Sequence, residues 1–231
     1  YDEEITEVEI GKDITGIGAR AFWDCENVNS IIIPEKVTKI GYRAFSYCGI
    51  TEVTIPDSVM IIDDCAFCDC SSLKSLKIPK NVERLGDAVC SDCNSLEDLT
   101  VDSENRYYDS RDNCNAIIET ATGILNSACS KTVVIPAGVK KIGKWAFYGL
   151  ENLDFEELEI PQGVTEIGEE AFTMCFGLIK VVIPDTVTTL GQLAFDECEN
   201  LHRGDVSKID VLRQIYDVSD VNMVLCGTHK Q

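Results

Sequence analysis

Histidine is almost absent. The chain carries two, His202 and His229, both near its end. No nucleophile, base and orienting group can be assembled around them from spacing, so no catalytic residues are expected and the chain reads as a non-enzyme. Basic residues are scarce too: 20 lysines and arginines stand against 40 aspartates and glutamates, a formal net charge of −20. Nucleic acid and anionic membrane surfaces both demand a basic footprint, so neither is an expected partner. No run of 18 apolar residues occurs, and no direct membrane insertion is expected. A secretory leader is not visible either, but Tyr1 opens inside a repeat. That reads as a piece of a longer protein, for which a missing leader is uninformative.

What is present is one phrase written repeatedly. Ile40 to Ile61 reads IGYRAFSYCGITEVTIPDSVMI, and Ile62 to Leu85 reads IDDCAFCDCSSLKSLKIPKNVERL. Both reduce to I-G-x-x-A-F-x-x-C-x-x-L-x-x-[ILV]-x-I-P-x-x-V-x-x-I. Self-similarity at 20 to 50 residues marks a solenoid, in which each unit buries its apolar face against its neighbours. The Ile-Gly step recurs at Ile17, Ile40, Leu85, Ile142, Ile167 and Leu190, with Ile62-Asp63 as a variant. These starts are nearly evenly stepped, apart from one long jump between Leu85 and Ile142. One residue is lost around Gly49, and two are added between Glu151 and Leu158.

All six prolines, Pro34, Pro56, Pro79, Pro136, Pro161 and Pro184, follow an isoleucine at the end of an apolar alternation. Proline lacks the N–H that a ladder needs, so L-x-x-I-x-I-P is read as a strand and its stop. The V-x-x-I beyond it is the return path, and A-F-x-x-C is expected to be a single helical or 3₁₀ turn on the opposite side. Ile5 to Gly11 is then the strand half of a truncated first unit. Phe22, Phe45, Phe67, Phe147, Phe172 and Phe195 are expected to stack in an inner column. Ser46 and Thr173, one step further on, are expected to point outward. The long jump holds an insertion at about 102–131. Within it, Asn115 to Asn126 reads as a hairpin turning at Thr120 to Gly123, and Lys131 to Pro136 is expected to restore the standard strand. Beyond Leu201 the pattern stops. Residues 202–231, with a helical stretch at Ser207 to Val218, read as the atypical terminal cap that a solenoid requires.

The units IGYRAFSYCGITEVTIP, IGEEAFTMCFGLIKVVIP and LGQLAFDECENL resemble the BspA-like, or Treponema pallidum type, class of leucine-rich repeats. The resemblance spans roughly residues 5 to 201. It implies a right-handed leucine-rich-repeat solenoid of α/β class: a parallel sheet on one face, short helical turns and loops on the other. It also implies adhesion at microbial surfaces, to host or microbial protein ligands, and no catalytic or cofactor-binding residues. The expected location is therefore the cell surface or the secreted fraction. A structural stalk without its own ligand is the alternative.

Twelve cysteines first raise disulfide frameworks and metal sites. Six of them, Cys25, Cys48, Cys70, Cys93, Cys175 and Cys198, share one repeat position and read as a column of small buried residues. Cys65-x-x-Cys68 and Cys90-x-x-Cys93 have the look of a zinc site. Alignment of Ile62 with Leu85, however, puts Cys90 in the phenylalanine column, so no metal and no cofactor are expected. Gly16-x-Gly18-x-x-Ala21 matches a dinucleotide fingerprint only because a glycine precedes the repeat. Arg203-Gly204-Asp205 is the tripeptide of many integrin ligands, in a segment where a chance match is as good an account. Cys114 and Cys129 lie outside the repeat. With the hairpin turning between Ala121 and Thr122 they face each other, and either a disulfide or two packed thiols satisfies that arrangement.

The sheet face is the candidate binding surface. Side chains alternate along a strand, so Glu9, Ile32, Thr54, Lys77, Thr100, Val134, Glu159 and Val182 should form one outward row. Glu7, Ser30, Glu52, Ser75, Asp98, Thr132, Glu157 and Lys180 should form the row beside it. A solvated face and an acidic, partly apolar protein-binding surface are both compatible with that composition.

Overall fold

The computed structural model describes residues 6–201, apart from 133, 152 and 154–156. The expected cap, both histidines, Arg203-Gly204-Asp205 and Cys226 lie outside the described residues. Seven coils follow one another, starting at Ile17, Ile40, Ile62, Leu85, Ile142, Ile167 and Leu190. Three features recur in each coil, and each has a cause in the repeat.

The first is the sheet face. Glu7–Glu9, Ser30–Ile32, Glu52–Thr54, Ser75–Ile78 and Asp98–Val101 form a five-stranded parallel sheet, paired in chain order. Glu157–Glu159 and Lys180–Val182 form a separate parallel pair. The strand stops at proline, whose carbonyl accepts a hydrogen bond from the valine three residues on. This happens at all six prolines, at 3.0 to 3.4 Å. The isoleucine before each proline is buried, and so is the valine after it.

The second is a row of two-residue strands where only a return path was expected. Gly16–Ile17, Lys39–Ile40, Ile61–Ile62 and Arg84–Leu85 pair in parallel, and Lys141–Ile142, Glu166–Ile167 and Thr189–Leu190 do the same further along. The glycine that follows sits against the preceding coil. A Cβ at Gly86 would lie 2.3 Å from Asp64 N, and one at Gly191 2.2 Å from Glu169 N. Close approach of two backbones, rather than an unusual φ, is why the step is Ile-Gly.

The third is the turn side, and here the expected helical turn is corrected. The A-F-x-x-C stretches are turns, and a single 3₁₀ turn, Arg111–Asn113, is the one helical element among the described residues. The backbone is a β-solenoid with almost no helix. Each coil places two residues at positive φ, for instance Arg43 and Tyr47, Cys65 and Asp69, Ala88 and Asp92. A left-handed residue every fourth position cannot continue an α-helix. The amides are also committed elsewhere: Arg43, Phe45 and Tyr47 N–H donate to Asp64, Ala66 and Cys68 carbonyls of the next coil, at 2.8 to 3.1 Å. The turn side is therefore a third ladder between coils.

Inside these ladders the phenylalanines stack, but in two runs. Phe22, Phe45 and Phe67 are parallel with centroids 5.4 and 5.2 Å apart. Phe147, Phe172 and Phe195 follow at 4.7 and 5.0 Å. Cys90 stands between the runs. The cysteine column beside them does more than fill space. Cys70, Cys93, Cys175 and Cys198 each donate their thiol to a phenylalanine carbonyl of the preceding coil, at 2.9 to 3.0 Å.

The insertion folds as the expected hairpin. Ala116–Glu119 and Ile124–Ala128 pair antiparallel, with Tyr108–Asp109 added outside them. Ile118 faces Leu125, but the register shifts between Ile117 and Ile118, so Ala116 faces Ala128. A one-residue shift exchanges faces. Cys114 packs in the C-terminal core cluster, Cys129 in the N-terminal one, and both are free thiols. The disulfide is thus absent, and the bulge is the reason. The expected strand at Lys131 to Pro136 is also not formed among the described residues of that stretch. Thr132 is buried, with its hydroxyl directed to the Asn115 carbonyl, while Val134 is exposed.

Candidate functional site

The sheet face is built largely as the alternation requires. Glu7, Ser30, Glu52, Ser75 and Asp98 are successive partners in one row, and Glu9, Ile32 and Thr54 in the next, with Lys77 beside Thr100. Glu157 pairs with Lys180 and Glu159 with Val182 in the second sheet. The two rows do not run on through the insertion, because Thr132 turns inward and no strand forms there among the described residues. Ile32 is 74% exposed, an isolated apolar side chain flanked by Glu9 and Thr54. Lys77 pairs with Asp102 at 2.8 Å and Lys180 with Glu157 at 2.7 Å. Among the described residues, no cation pairs with Glu7, Glu9 or Glu52. The face is consequently acidic, with one prominent apolar residue.

The turn side holds a second concavity, which the sequence reading passed over. A cavity of about 410 Å³ opens where the coils from Ile40, Ile62 and Leu85 meet those from Ile142 and Ile167. Its walls include Arg43, Cys65, Cys68, Asp69, Asp92 and Trp145. The cause is the insertion. In regular coils each turn hydrogen-bonds at three amides to the next. Between the coils from Leu85 and Ile142 that ladder is reduced. Asp92 N–H donates to the Tyr148 carbonyl at 3.2 Å, while Ala128 of the hairpin takes the Ala146 carbonyl at 2.8 Å. Ser91 Oγ reaches the Trp145 carbonyl at 3.1 Å. The hairpin residues Asn126 to Ser130 are all buried as a wedge at this junction.

Burial and like charge shape the acids there. Asp92 is pushed up to about 6, first by burial, then by the Asp69 and Glu151 charges. Asp69 is also raised by burial, although Tyr47, Asp92, Arg43 and Ser46 oppose the shift. The two carboxyls are near enough that the charge on Asp69 favours a proton on Asp92 as pH falls. Ser46 lies beside Asp69, and its Oγ is fully buried without a well-formed hydrogen bond. Ser46 and Thr173, expected to face outward, are 0% and 6% exposed. The ladder between turns covers this position, which strand-like alternation cannot anticipate.

The paired C-x-x-C motifs separate. Cys65 and Cys68 line the cavity with Ala88 and Trp145 against them. Cys90 and Cys93 belong to the main core, Cys90 beside Cys129 and Ser127. Among the described residues, no group of three or more His, Cys, Asp or Glu is placed to hold a metal ion.

Residues 1–116 and 124–217 match the family model of the BspA-type leucine-rich repeat region, in six copies. The chain belongs to the BspA-type leucine-rich repeat family. Solved structures share the architecture. A leucine-rich repeat protein of Eubacterium ventriosum is 25% identical with a TM-score of 0.66, over 85% of this chain and 59% of that one. A leucine-rich cell surface protein of Faecalibacterium prausnitzii is 27% identical with a TM-score of 0.55, over 84% and 65%. The Treponema pallidum leucine-rich repeat protein, 24% identical with a TM-score of 0.52 over 94% and 86%, shares the fold. The chain thus spans about three-fifths of the first two. No curated protein matches it. The 117–123 gap in the family match falls inside the insertion of this BspA-type chain, on the end of the first hairpin strand and the turn after it.

Proposed function

We propose that this BspA-type chain is a non-catalytic protein-binding module, an adhesive or receptor-like part of a microbial protein at the cell surface or in the secreted fraction. The surface it offers is the face carrying Glu7, Glu9, Ile32, Glu52, Thr54, Lys77, Asp98 and Thr100, continued beyond the insertion by Glu157, Glu159 and Val182. One observation carries the reading: Ile32 stands 74% exposed on the second strand of a regular five-stranded sheet, and Glu7, Glu9 and Glu52 around it lack cationic partners among the described residues. An isolated apolar anchor rimmed by charge suits a protein partner with a basic, partly apolar surface. A cell-surface location is supported by the repeat family and by the Faecalibacterium relative, itself a leucine-rich cell surface protein.

Beads coated with the chain, applied to epithelial monolayers and to bacterial lawns, test this. Retention above that of albumin-coated beads is expected, falling several-fold for the double variant Ile32→Glu, Glu52→Lys with an unchanged melting temperature. Retention no higher than albumin would overturn binding and leave a spacer. Retention indifferent to the double variant would move the binding surface elsewhere.

A further inference from the structure

Seven coils carry the same turn, and one of them is chemically different. In every coil the residue at the first positive-φ position accepts a hydrogen bond from the residue three further on. The pairs are Arg20 and Trp23, Arg43 and Ser46, Cys65 and Cys68, Ala88 and Ser91, Trp145 and Tyr148, Glu170 and Thr173, Leu193 and Asp196. Only the coil from Ile62 places cysteine at both. The Cys68 N–H to Cys65 carbonyl bond of 3.1 Å closes a tight turn. Such a turn holds its end Cα atoms within about 7 Å, the range a disulfide bridges. Neither cysteine belongs to the column whose thiols serve phenylalanine carbonyls. Both line the cavity instead, at 9% and 6% exposure.

The surroundings of the pair are not those of packed thiols. Cys65 lies beside Cys68 and the Arg43 guanidinium in the cavity wall. Arg43 Nε is buried and without a hydrogen-bond partner. Cys68 Sγ lies 2.7 Å from the Ala88 carbonyl oxygen. The Cys65 thiol is lowered to about 7, first by the Cys68 hydrogen bond and next, against burial, by Arg43. Cys68 is raised, by its hydrogen bond to Cys65 and by burial. One thiol is thus prepared to attack and the other is kept in reserve.

We propose that Cys65 and Cys68 form a thiol–disulfide exchange site on the turn side, whose substrates are small neutral or cationic disulfides. The Cys65 thiolate attacks one sulfur of R–S–S–R. The S–S bond breaks, R–S⁻ leaves, and it takes up the proton that Cys65 had released. Cys68 then attacks the Cys65 sulfur of the mixed disulfide. A second R–S⁻ leaves and takes the Cys68 proton. The protein dithiol loses two electrons to become a disulfide, and the small disulfide gains them to become two thiols. A thiol whose pKa lies near the ambient pH is the best attacking group at neutrality. Charge selects the substrate. Asp69, Asp92 and Glu170 outnumber Arg43 in the cavity, within a chain of net charge −20. Anionic disulfides are repelled, and ammonium groups are drawn to the acids and to the Tyr148 ring.

The test uses reduced protein, cystamine as a cationic disulfide and oxidised glutathione as an anionic one, with acid quench, alkylation and peptide mapping. Folded wild-type protein is expected to lose alkylation at Cys65 and Cys68 together, releasing two equivalents of cysteamine. Cys68→Ser should accumulate a cysteamine adduct on Cys65. Cystamine should react at least tenfold faster than oxidised glutathione, with the ratio shrinking in salt. Wild-type protein in urea supplies the reference rate, so the answer does not depend on the variant folding. Cys65 reacting no faster in the folded chain than in urea would overturn the site. Equal rates for the two disulfides would overturn the charge selection. Neither outcome bears on the sheet-face reading, which involves none of these residues.

Discussion

The coil from Ile40 and the coil from Leu85 are built from the same phrase, and they end differently. After the first, the next coil starts directly at Ile62 and every ladder continues. After the second, the chain leaves for the insertion, and the neighbour on the turn side starts only at Ile142. Among the described residues the sheet face ends at Val101 and its ladder resumes at Glu157. Side chains take over where backbone pairing stops. Leu85 N–H donates to the Tyr108 hydroxyl at 2.9 Å, and Asn126 Nδ2 to the Gly86 carbonyl at 3.2 Å. Asn105 anchors the loop: its Nδ2 donates to the Pro79 and Val82 carbonyls, and its Oδ1 accepts from Tyr107 and Tyr108 N–H. A regular coil is therefore stabilised by repetition, and the junction by particular side chains. The cavity is where the two regimes meet.

The largest effect separating them concerns the stack. Phe172→Ala removes a ring between two others and should cost about 3–5 kcal/mol. Cys90→Phe, which restores the repeat residue at the junction, should instead cost about 1–3 kcal/mol through overpacking against Ser127 and Cys129. Urea melts decide both. A stabilising Cys90→Phe would show that the junction still has room for the column. Next comes close approach. Gly49 belongs to the coil that is one residue short, and a Cβ there would lie 1.9 Å from the Glu26 carbonyl oxygen. Gly49→Ala should destabilise by about 1–3 kcal/mol, whereas an alanine at Gly18, which has no atom within 4 Å, should be close to neutral by the same measurement. If the two melt alike, tight coil spacing is not what the glycines serve.

At the junction, Tyr108→Phe leaves the buried Leu85 N–H unpaired and should cost about 1–3 kcal/mol, with faster amide exchange at Leu85 than at Ile62. The acids of the cavity give a pH signature. Asp92 titrates near 6 in the folded chain and near 3.9 unfolded, so the folded state holds the extra proton between those values. That stability is complete below about pH 4 and is lost as pH rises to about 6. Asp92→Asn should flatten this part of the melting-temperature profile, and an unchanged profile would assign the loss to other groups. The smallest contrast is between two hydroxyls at one repeat position. Thr173 Oγ1 donates to the Leu193 carbonyl at 2.7 Å, while Ser46 Oγ has no such bond. Thr173→Ala should cost about 1 kcal/mol and Ser46→Ala less, read by the same melts.

The repeat, its stops and its spacing were legible in the residues themselves. Proline after isoleucine marks the strand end, because ring closure removes a donor whatever surrounds it. Glycine after isoleucine marks the close approach, and the alternation of Glu7, Val8 and Glu9 already says which side faces water. These signals are local or strictly periodic, and periodicity turns one local preference into a whole ladder. The turn side was not legible in that way. A-F-x-x-C has a spacing that suits helix, and only the carbonyls of the next coil, a full repeat further along the chain, draw its amides out of that form. The bulge at Ile117 and Ile118 moves Cys114 and Cys129 into different cores, although the residues alone place them face to face. The convergence of Arg43, Cys65, Cys68, Asp92 and Trp145 depends on how the hairpin seats the coil from Ile142 against the coil from Leu85. Sequence by itself determined the proline-stopped strands of the regular coils, the columns and the family, since each rests on contacts between equivalent positions. Tertiary structure alone decided the cavity and its chemistry, since those rest on contacts between positions that are not equivalent.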